Sequence, residues 1–295
     1  MLHSVSYSGS WGQVCLSIEQ FIDKAATLGF QGVMLMAKRP HLSLLDCDEG
    51  MRARVRKQLE ARELRTVCIA GYTNFTADLD HGDVPHREMQ IYYVSELARL
   101  ARDLGSKLVR IFTGYESAVT NYNTQWKIVV ECIKECTRRA SEFGVTIGVQ
   151  NHHDIAVGYE SLFDLIRAIN EPNCKAMFDA WAPALQGTDL AAAARKMGSI
   201  SAQTTVANYQ RRPRFAYDPS LVNYSERTPF VQAVPIEKGF IDYSLFLKAL
   251  AEGGFSGPVA YEMCSPLLEG GSPETLDRYA RLFLEFMERM HSSIG

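Results

Sequence analysis

One unit recurs along this chain and restricts its fold more than any other feature: a helical pattern, a glycine, then a short apolar run. It occurs at 25–36 (AATLGFQGVMLM), 100–112 (LARDLGSKLVRIF), 140–150 (ASEFGVTIGVQ), 192–206 (AAARKMGSISAQTTV) and 250–262 (LAEGGFSGPVAYE). Glycine stops a helix at low cost because it tolerates positive φ, and the run that follows can enter a sheet. These runs are continuous rather than alternating, as strands buried on both faces are. Counting the units predicts eight strands, near residues 2–7, 32–36, 65–70, 107–112, 145–150, 174–178, 200–206 and 258–262. Helices are predicted near 17–28, 50–62, 86–104, 124–143, 160–169, 188–197, 242–252 and 273–290. Eight strands alternating with eight helices describe a closed (β/α)₈ TIM barrel. An open doubly wound sheet is the competing architecture, but no G-x-G-x-x-G follows the first strand.

A barrel of this kind accounts for 1–295 as one domain, since α/β barrels reach that length without dividing. The longest irregular stretch is about 209–238, rich in arginine, proline and aromatic residues, and reads as an inserted flap over the barrel mouth or as an oligomer-contact loop. An apolar fraction of 46% is that of an ordinary globular protein, and a net charge of −3 gives no electrostatic case for nucleic acid or an anionic membrane. Seven scattered cysteines form no C-x-x-C pair, so reduced thiols are expected rather than disulfides or a zinc site. With no visible signal peptide and no uncharged stretch of membrane-spanning length, the expected location is the cytoplasm. Homo-oligomerisation is left open.

Chemistry in this architecture sits where strands run into their following loops. Polar residues at those positions include His3, Tyr7, Lys38, Arg110, Gln150, His152, Asp179, Trp181, Gln203 and Glu262. Asp179 and Glu262 stand out because each terminates an apolar run, Ala-Met-Phe-Asp and Val-Ala-Tyr-Glu. Two carboxylates against a dry core resist ionising unless a cation lies between them, or unless each is bridged by an arginine. Lys38 and Arg110 are candidates to hold a carboxylate or an enediolate oxygen. Arg110, inside an apolar run, has the alternative of pairing with a buried acid. Tyr7 and Trp181 are candidates to stack on a sugar face, and Arg211 to reach the ligand from the flap.

At these residues the chain resembles the xylose-isomerase-like barrels, a superfamily of sugar epimerases, inosose-pathway enzymes and apurinic endonucleases. The resemblance covers nearly the whole chain. Its most specific parts are VTIGVQNHH at 145–153, Phe178-Asp179, VPIEKGFIDY at 234–243 and Tyr261-Glu262. It implies one divalent ion held by Glu, Asp, His and Glu from strands five to eight. Asp179 and Glu262 match, whereas Gln150 stands where the family has glutamate and Thr205 where it has histidine. Gln203, two residues earlier, is the substitute ligand this reading favours. An oxygen-rich set of that kind suits Mn²⁺ or Mg²⁺ better than Co²⁺ or Zn²⁺.

Glutamine cannot take up a proton, so the family's two-glutamate epimerisation is not available unchanged. By the two-residue period His152 shares the inward face with Gln150 and is the expected general acid or base, alongside Glu262 and with Lys38 in support. His153 should face away. The function implied is a metal-dependent isomerase or epimerase of a keto-sugar acting through an enediolate. The alternative is a lyase on the same scaffold, performing β-elimination, dehydration or decarboxylation of an oxidised sugar with a single base. An abasic-site endonuclease fits poorly with seven histidines, few of them at strand ends, and a net negative charge. A sugar-binding barrel without catalysis is the remaining reading.

Overall fold

The computed structural model describes residues 1–80 and 82–294. Eight parallel strands form a nearly closed barrel: β1 (Leu2–His3), β2 (Gly32–Met36), β3 (Arg65–Ala70), β4 (Leu108–Ile111), β5 (Thr146–Gln150), β6 (Cys174–Met177), β7 (Thr204–Val206) and β10 (Val259–Tyr261). Two further strands, β8 (Asn208–Asp218) and β9 (Asn223–Val234), form a separate two-stranded sheet, and Ala233 of β9 also bridges Leu267. The helices are α1 (Ile18–Leu28), α2 (Glu49–Ala61), α3 (His86–Asp103), α4 (Tyr122–Ser141) and α5 (Tyr159–Ile169). They continue with α6 (Trp181–Leu185), α7 (Leu190–Met197), α8 (Tyr243–Glu252) and α9 (Pro273–Ile294). Of these, only the one-turn α6 was not expected from the sequence pattern.

Around the ring the order is β6-β5-β4-β3-β2-β1-β10-β7. The circle is completed by a thin seam between β6 and the approach to β7. Ala176 bridges Ser201, the Ala202 N–H donates to the Ala176 carbonyl at 2.8 Å, and Thr204 Oγ1 donates to the Phe178 carbonyl at 2.7 Å.

Alternation along the strands separates two apolar layers. Val33, Leu35, Ile69, Val109, Ile147 and Tyr261 face outward into the main core beneath the helices. Met34, Cys68, Ala70, Leu108, Met177 and Ala260 face inward and plug the barrel. Two residues further along three of these strands the inward face becomes ionic: Leu108 gives way to Arg110, Met177 to Asp179 and Ala260 to Glu262. That step sets the floor of the mouth.

Glycine plays two different parts in the recurring unit. Gly29 closes α1 at φ 90°, the left-handed cap the pattern predicts. Gly198 after α7 instead sits at φ −52°, and a Cβ there would lie 2.5 Å from the Leu250 carbonyl oxygen and 2.6 Å from Gly253 C. Its role is to let α7 approach the end of α8 closely, not to supply positive φ.

The first strand is shorter than expected and ends at His3, with a 3₁₀ turn over Ser4–Tyr7. The cause is local side-chain competition for the backbone. Ser4 Oγ accepts the Met36 N–H at 2.8 Å, Ser6 Oγ accepts the Met263 N–H at 2.9 Å, and His3 Nδ1 accepts from Val5 N–H at 3.3 Å. The stretch expected to be an irregular flap is a regular antiparallel hairpin of β8 and β9. Its base is buried through Asn208, Tyr209, Ala233 and Val234. Most of the remainder is exposed, Phe215, Tyr217 and Tyr224 included, while Ala233 bridges Leu267 beyond β10 and Tyr209 stacks on Trp181. No helix among the described residues is long and apolar enough to cross a membrane.

Candidate active site

Asp179 follows β6 and is fixed from several directions. Its backbone N–H donates to Asn151 Oδ1 at 2.8 Å, and Asn151 Nδ2 returns a bond to the Asp179 carbonyl at 3.1 Å. Of its carboxylate oxygens, Oδ1 accepts the Trp181 N–H at 3.1 Å and Oδ2 accepts Gln150 Nε2 at 2.6 Å. Burial nevertheless dominates and, with the Glu262 charge adding to it, lifts the Asp179 pKa to about 7 against those bonds.

Glu262 follows β10, anchored by its N–H to the Val206 carbonyl at 3.1 Å. The Cys264 thiol donates to its Oε1 at 3.3 Å, and His3 Nε2 lies 3.8 Å from its Oε2. Burial raises this carboxyl too, with the Arg110 charge opposing. Neither carboxylate has a lysine or arginine within ion-pair distance among the described residues, so the arginine-bridged alternative is set aside.

Arg110, only 2% exposed, lies on β4 with its guanidinium carbon 4.0 Å from the Phe112 ring centre and 4.8 Å from that of Tyr72. Among the described residues it pairs with no buried acid, contrary to the alternative raised from sequence, and its Nε is buried without a partner. Lys38 Nζ lies 4.1 Å over the same Tyr72 ring. Loss of water and the nearby Arg110 charge both lower the Lys38 pKa. Aromatic rings continue the wall: His152 lies 4.4 Å from Phe112 and edge-on to Trp181 at 6.2 Å, and Trp181 stacks on Tyr209 at 4.4 Å. A cavity of about 170 Å³ opens among Asn151, His152, Asp179, Trp181, Ala182 and Leu185. A larger hollow of about 800 Å³ lies at the opposite end, among strand starts such as Arg65, Thr66 and Lys107. It is far from these groups and from the end where barrels of this kind place their chemistry.

The structure thus brings Lys38, Arg110, Gln150, His152, Asp179, Trp181 and Glu262 to one mouth. Two expected residues are not there, and a third is on the hairpin. Tyr7 lies in the 3₁₀ turn and is fully buried towards α9, where its hydroxyl donates to Asp277 Oδ1 at 2.9 Å. Gln203 faces inward but low: its Nε2 meets Met34 Sδ at 3.2 Å, and parallel pairing sets it four residues below the level of Glu262. At about 3.3 Å per residue that is roughly 13 Å along the strand. Arg211 is exposed on β8, its guanidinium carbon 5.6 Å from the Phe240 ring centre.

His152 reaches the mouth by another route than strand alternation. Its N–H turns back onto the Gln150 carbonyl at 2.9 Å, ending the strand. The crowded recess and the Arg110 charge hold it below the usual histidine range, so it is neutral near pH 7. His153, expected to face away, is buried against Tyr115 and Phe112 at 4.2 and 4.5 Å. Tyr72, which carries both cations, and Asn151, which clamps Asp179, stand at strand ends in the sequence, which assigned them no role. A polar amide directly after an apolar strand was the available signal for Asn151. Nothing local marked Cys264 or Tyr209, whose Oη lies 2.7 Å from the Cys264 sulfur.

Among the described residues no three His, Cys, Asp or Glu side chains gather as a metal cluster. The donors at the mouth are instead two carboxylates and neutral oxygens. Thr205 faces inward two residues above Gln203 and carries a buried hydroxyl with no partner. Gln150 contributes an amide carbonyl. These oxygen donors, with no lysine or arginine within ion-pair distance of the carboxylates among the described residues, would suit a hard divalent ion.

The fold and this mouth define a (β/α)₈ barrel with an ionic site at the C-terminal ends of its strands. The chain belongs to the family described as xylose isomerase-like TIM barrel, whose model matches residues 22–286. Solved structures share the fold at low identity. D-psicose 3-epimerase from Clostridium cellulolyticum H10, crystallised with D-tagatose, is 17% identical, with a TM-score of 0.73 and coverage of 98% of this chain and 99% of that one. The probable 3-DHS dehydratase from Bacillus anthracis is 15% identical, with a TM-score of 0.72 and coverage of 96% and 97%. A xylose isomerase-like barrel from Mycobacterium smegmatis in complex with magnesium is 15% identical, with a TM-score of 0.69 and coverage of 94% and 89%. No curated protein matches the chain.

Proposed function

We propose that this protein is a divalent-cation-dependent isomerase or epimerase of a keto-sugar, working by proton transfer through an enediolate. The observation that carries this reading is the mouth itself: two unbridged carboxylates with raised pKa, Asp179 buried and Glu262 18% exposed, face a wall bearing Lys38 and Arg110. Asp179 and Glu262 would anchor the ion, with the Gln150 carbonyl and Thr205 hydroxyl as neutral donors. When bound, such an ion polarises a carbonyl–hydroxyl pair.

Glu262 is the group suited to move the proton, because burial strengthens it as a base and Cys264 orients it. His152, neutral and with no hydrogen bond to its ring among the described residues, suits binding a sugar hydroxyl better than taking up a proton. Lys38 and Arg110 place positive charge on the wall facing the two carboxylates. Trp181 offers a face for the ring or chain of the sugar.

One observation favours a lyase as the second reading. Gln150 is bonded to Asp179 and cannot serve as a second base, which leaves a one-base reaction such as dehydration. Incubation with a keto-sugar and sugar-acid panel plus Mn²⁺ in D₂O separates the two by mass spectrometry. Deuterium in recovered substrate and product with no other mass change supports the isomerase; loss of water or CO₂ identifies the lyase. No turnover of any member would reject both.

A further inference from the structure

We infer that the substrate is a sugar acid whose carboxylate is held by Arg110 and Lys38, across the barrel from the reacting carbons. The inference deepens the proposed function and rests on its reading of the mouth as the sugar site.

It begins with the cations. Arg110 is buried, its Nε has no partner, and no acid lies within ion-pair distance of it among the described residues. Lys38 is likewise unpaired and shares the Tyr72 ring with Arg110. Two positive charges brought onto one ring repel, and a ring quadrupole offsets only part of that cost. An anion between them removes it. Asp179 and Glu262 feel the Arg110 charge, but neither lies within ion-pair distance of it among the described residues, and each is hydrogen-bonded on its own wall.

Ring position makes the arrangement bipolar. Lys38, Tyr72 and Arg110 follow or lie on β2, β3 and β4, centred on β3. Asp179, Thr205 and Glu262 follow or lie on β6, β7 and β10, centred on β7. In the ring order β3 and β7 are four strands apart, hence diametrically opposed. A ligand filling the mouth therefore meets cations at one end and carboxylates with neutral oxygens at the other. A neutral keto-sugar would leave the cationic end unmatched, whereas a sugar acid complements both.

The geometry further selects the anion. Phe112 and Tyr72 cover the Arg110 guanidinium from the ring side, leaving its N–H edge, which matches the planar pair of oxygens of a carboxylate.

Titration calorimetry with the full-length protein tests this with 5-keto-D-gluconate and L-sorbose, which differ in carrying a carboxylate or a hydroxymethyl group at one end. The acid is expected to bind about tenfold or more tightly than the neutral sugar, as removal of one charge-assisted bond implies. Lys38→Met and Arg110→Met are each expected to abolish that preference while leaving L-sorbose affinity in place. Lys38 is exposed, so its variant carries the test if the Arg110 variant does not fold. Equal binding of the two probes, or equal losses for both in Lys38→Met, overturns the sugar-acid inference and leaves the isomerase reading standing. Absence of acid binding also overturns it, as does tighter binding of D-fructose 6-phosphate than of the acid. Acid binding that depends on Lys38, with no turnover in the D₂O panel, instead sustains the anion site and rejects the proposed reaction.

Discussion

The side-chain amide of Gln150 donates to Asp179 Oδ2 across 2.6 Å, joining the ends of β5 and β6 inside the barrel. This bond gives a buried carboxylate a neutral partner where a second acid would repel it. Replacing Gln150 by glutamate sets two carboxyls at that separation. Mn²⁺ affinity, read by calorimetry, should rise by about tenfold, a carboxylate being the stronger hard ligand. Without metal the paired acids hold their shared proton more tightly in the folded state than when unfolded. That contribution is present at low pH and is lost as pH rises through their folded pKa values. The melting temperature of metal-free Gln150→Glu should accordingly drop against wild type above about pH 7 and converge with it near pH 4. Parallel melting curves across that range would refute the account.

Asn151 works on the other side of the same residue, exchanging two hydrogen bonds with the Asp179 backbone while 2% exposed. Asn151→Ala leaves a buried N–H and a buried carbonyl unmet, at a cost of about 1–3 kcal/mol in denaturant unfolding. Mn²⁺ affinity should weaken with it, since the carboxylate loses its fixed direction. A variant as stable as wild type would show that water replaces the amide.

Tyr7 offers a contrast. Its hydroxyl meets Asp277, which also pairs with Lys24 at 2.6 Å, on the helical side of the barrel. Tyr7→Phe should cost about 1 kcal/mol of stability and leave ligand affinity and turnover unaltered. A selective loss of sugar affinity would return this residue to the mouth.

His41 predicts acid sensitivity. Its ring is buried between Ser4 Oγ at 3.0 Å and the Leu16 carbonyl at 3.2 Å, and burial lowers its pKa to about 4. The unfolded chain binds this proton near pH 6.5, the folded chain only below about 4. Stability is therefore complete above pH 6.5 and declines as pH falls through that window, by at most roughly 3 kcal/mol for this residue. His41→Gln should flatten the pH dependence of unfolding between pH 6.5 and 4. An unchanged slope would assign the acid transition to other groups.

How far the sequence reveals this site depends on which interaction places each residue. Arg110, Asp179 and Glu262 were legible because alternation in a fully buried strand fixes both their direction and their proximity to the loop. Gln203 obeys the same alternation, but its height relative to Glu262 is set by the register between β7 and β10, a tertiary property. Tyr7 was misplaced because serine side chains end the first strand early, a competition that apolar periodicity does not register. His152 did reach the mouth, through a backbone turn rather than the predicted strand face. Arg211 was unreadable for another reason: a long two-stranded hairpin depends on cross-strand pairing, which a stretch rich in arginine and proline does not advertise.

The seam between β6 and β7 makes the barrel mechanically unequal around its circumference. Asp179 lies just beyond the side held by a single bridge at Ala176, and Thr205 stands on the other side. The β4–β5 and β5–β6 ladders, by contrast, run through four residue pairs each. The amide of Ala202 should thus exchange with solvent deuterium well before those of Val109 or Val149. Two of the groups that would hold an ion sit on opposite lips of this weak joint, so a bound ion would act as a rivet. Its arrival should slow exchange at Ala202 more than anywhere else in the sheet.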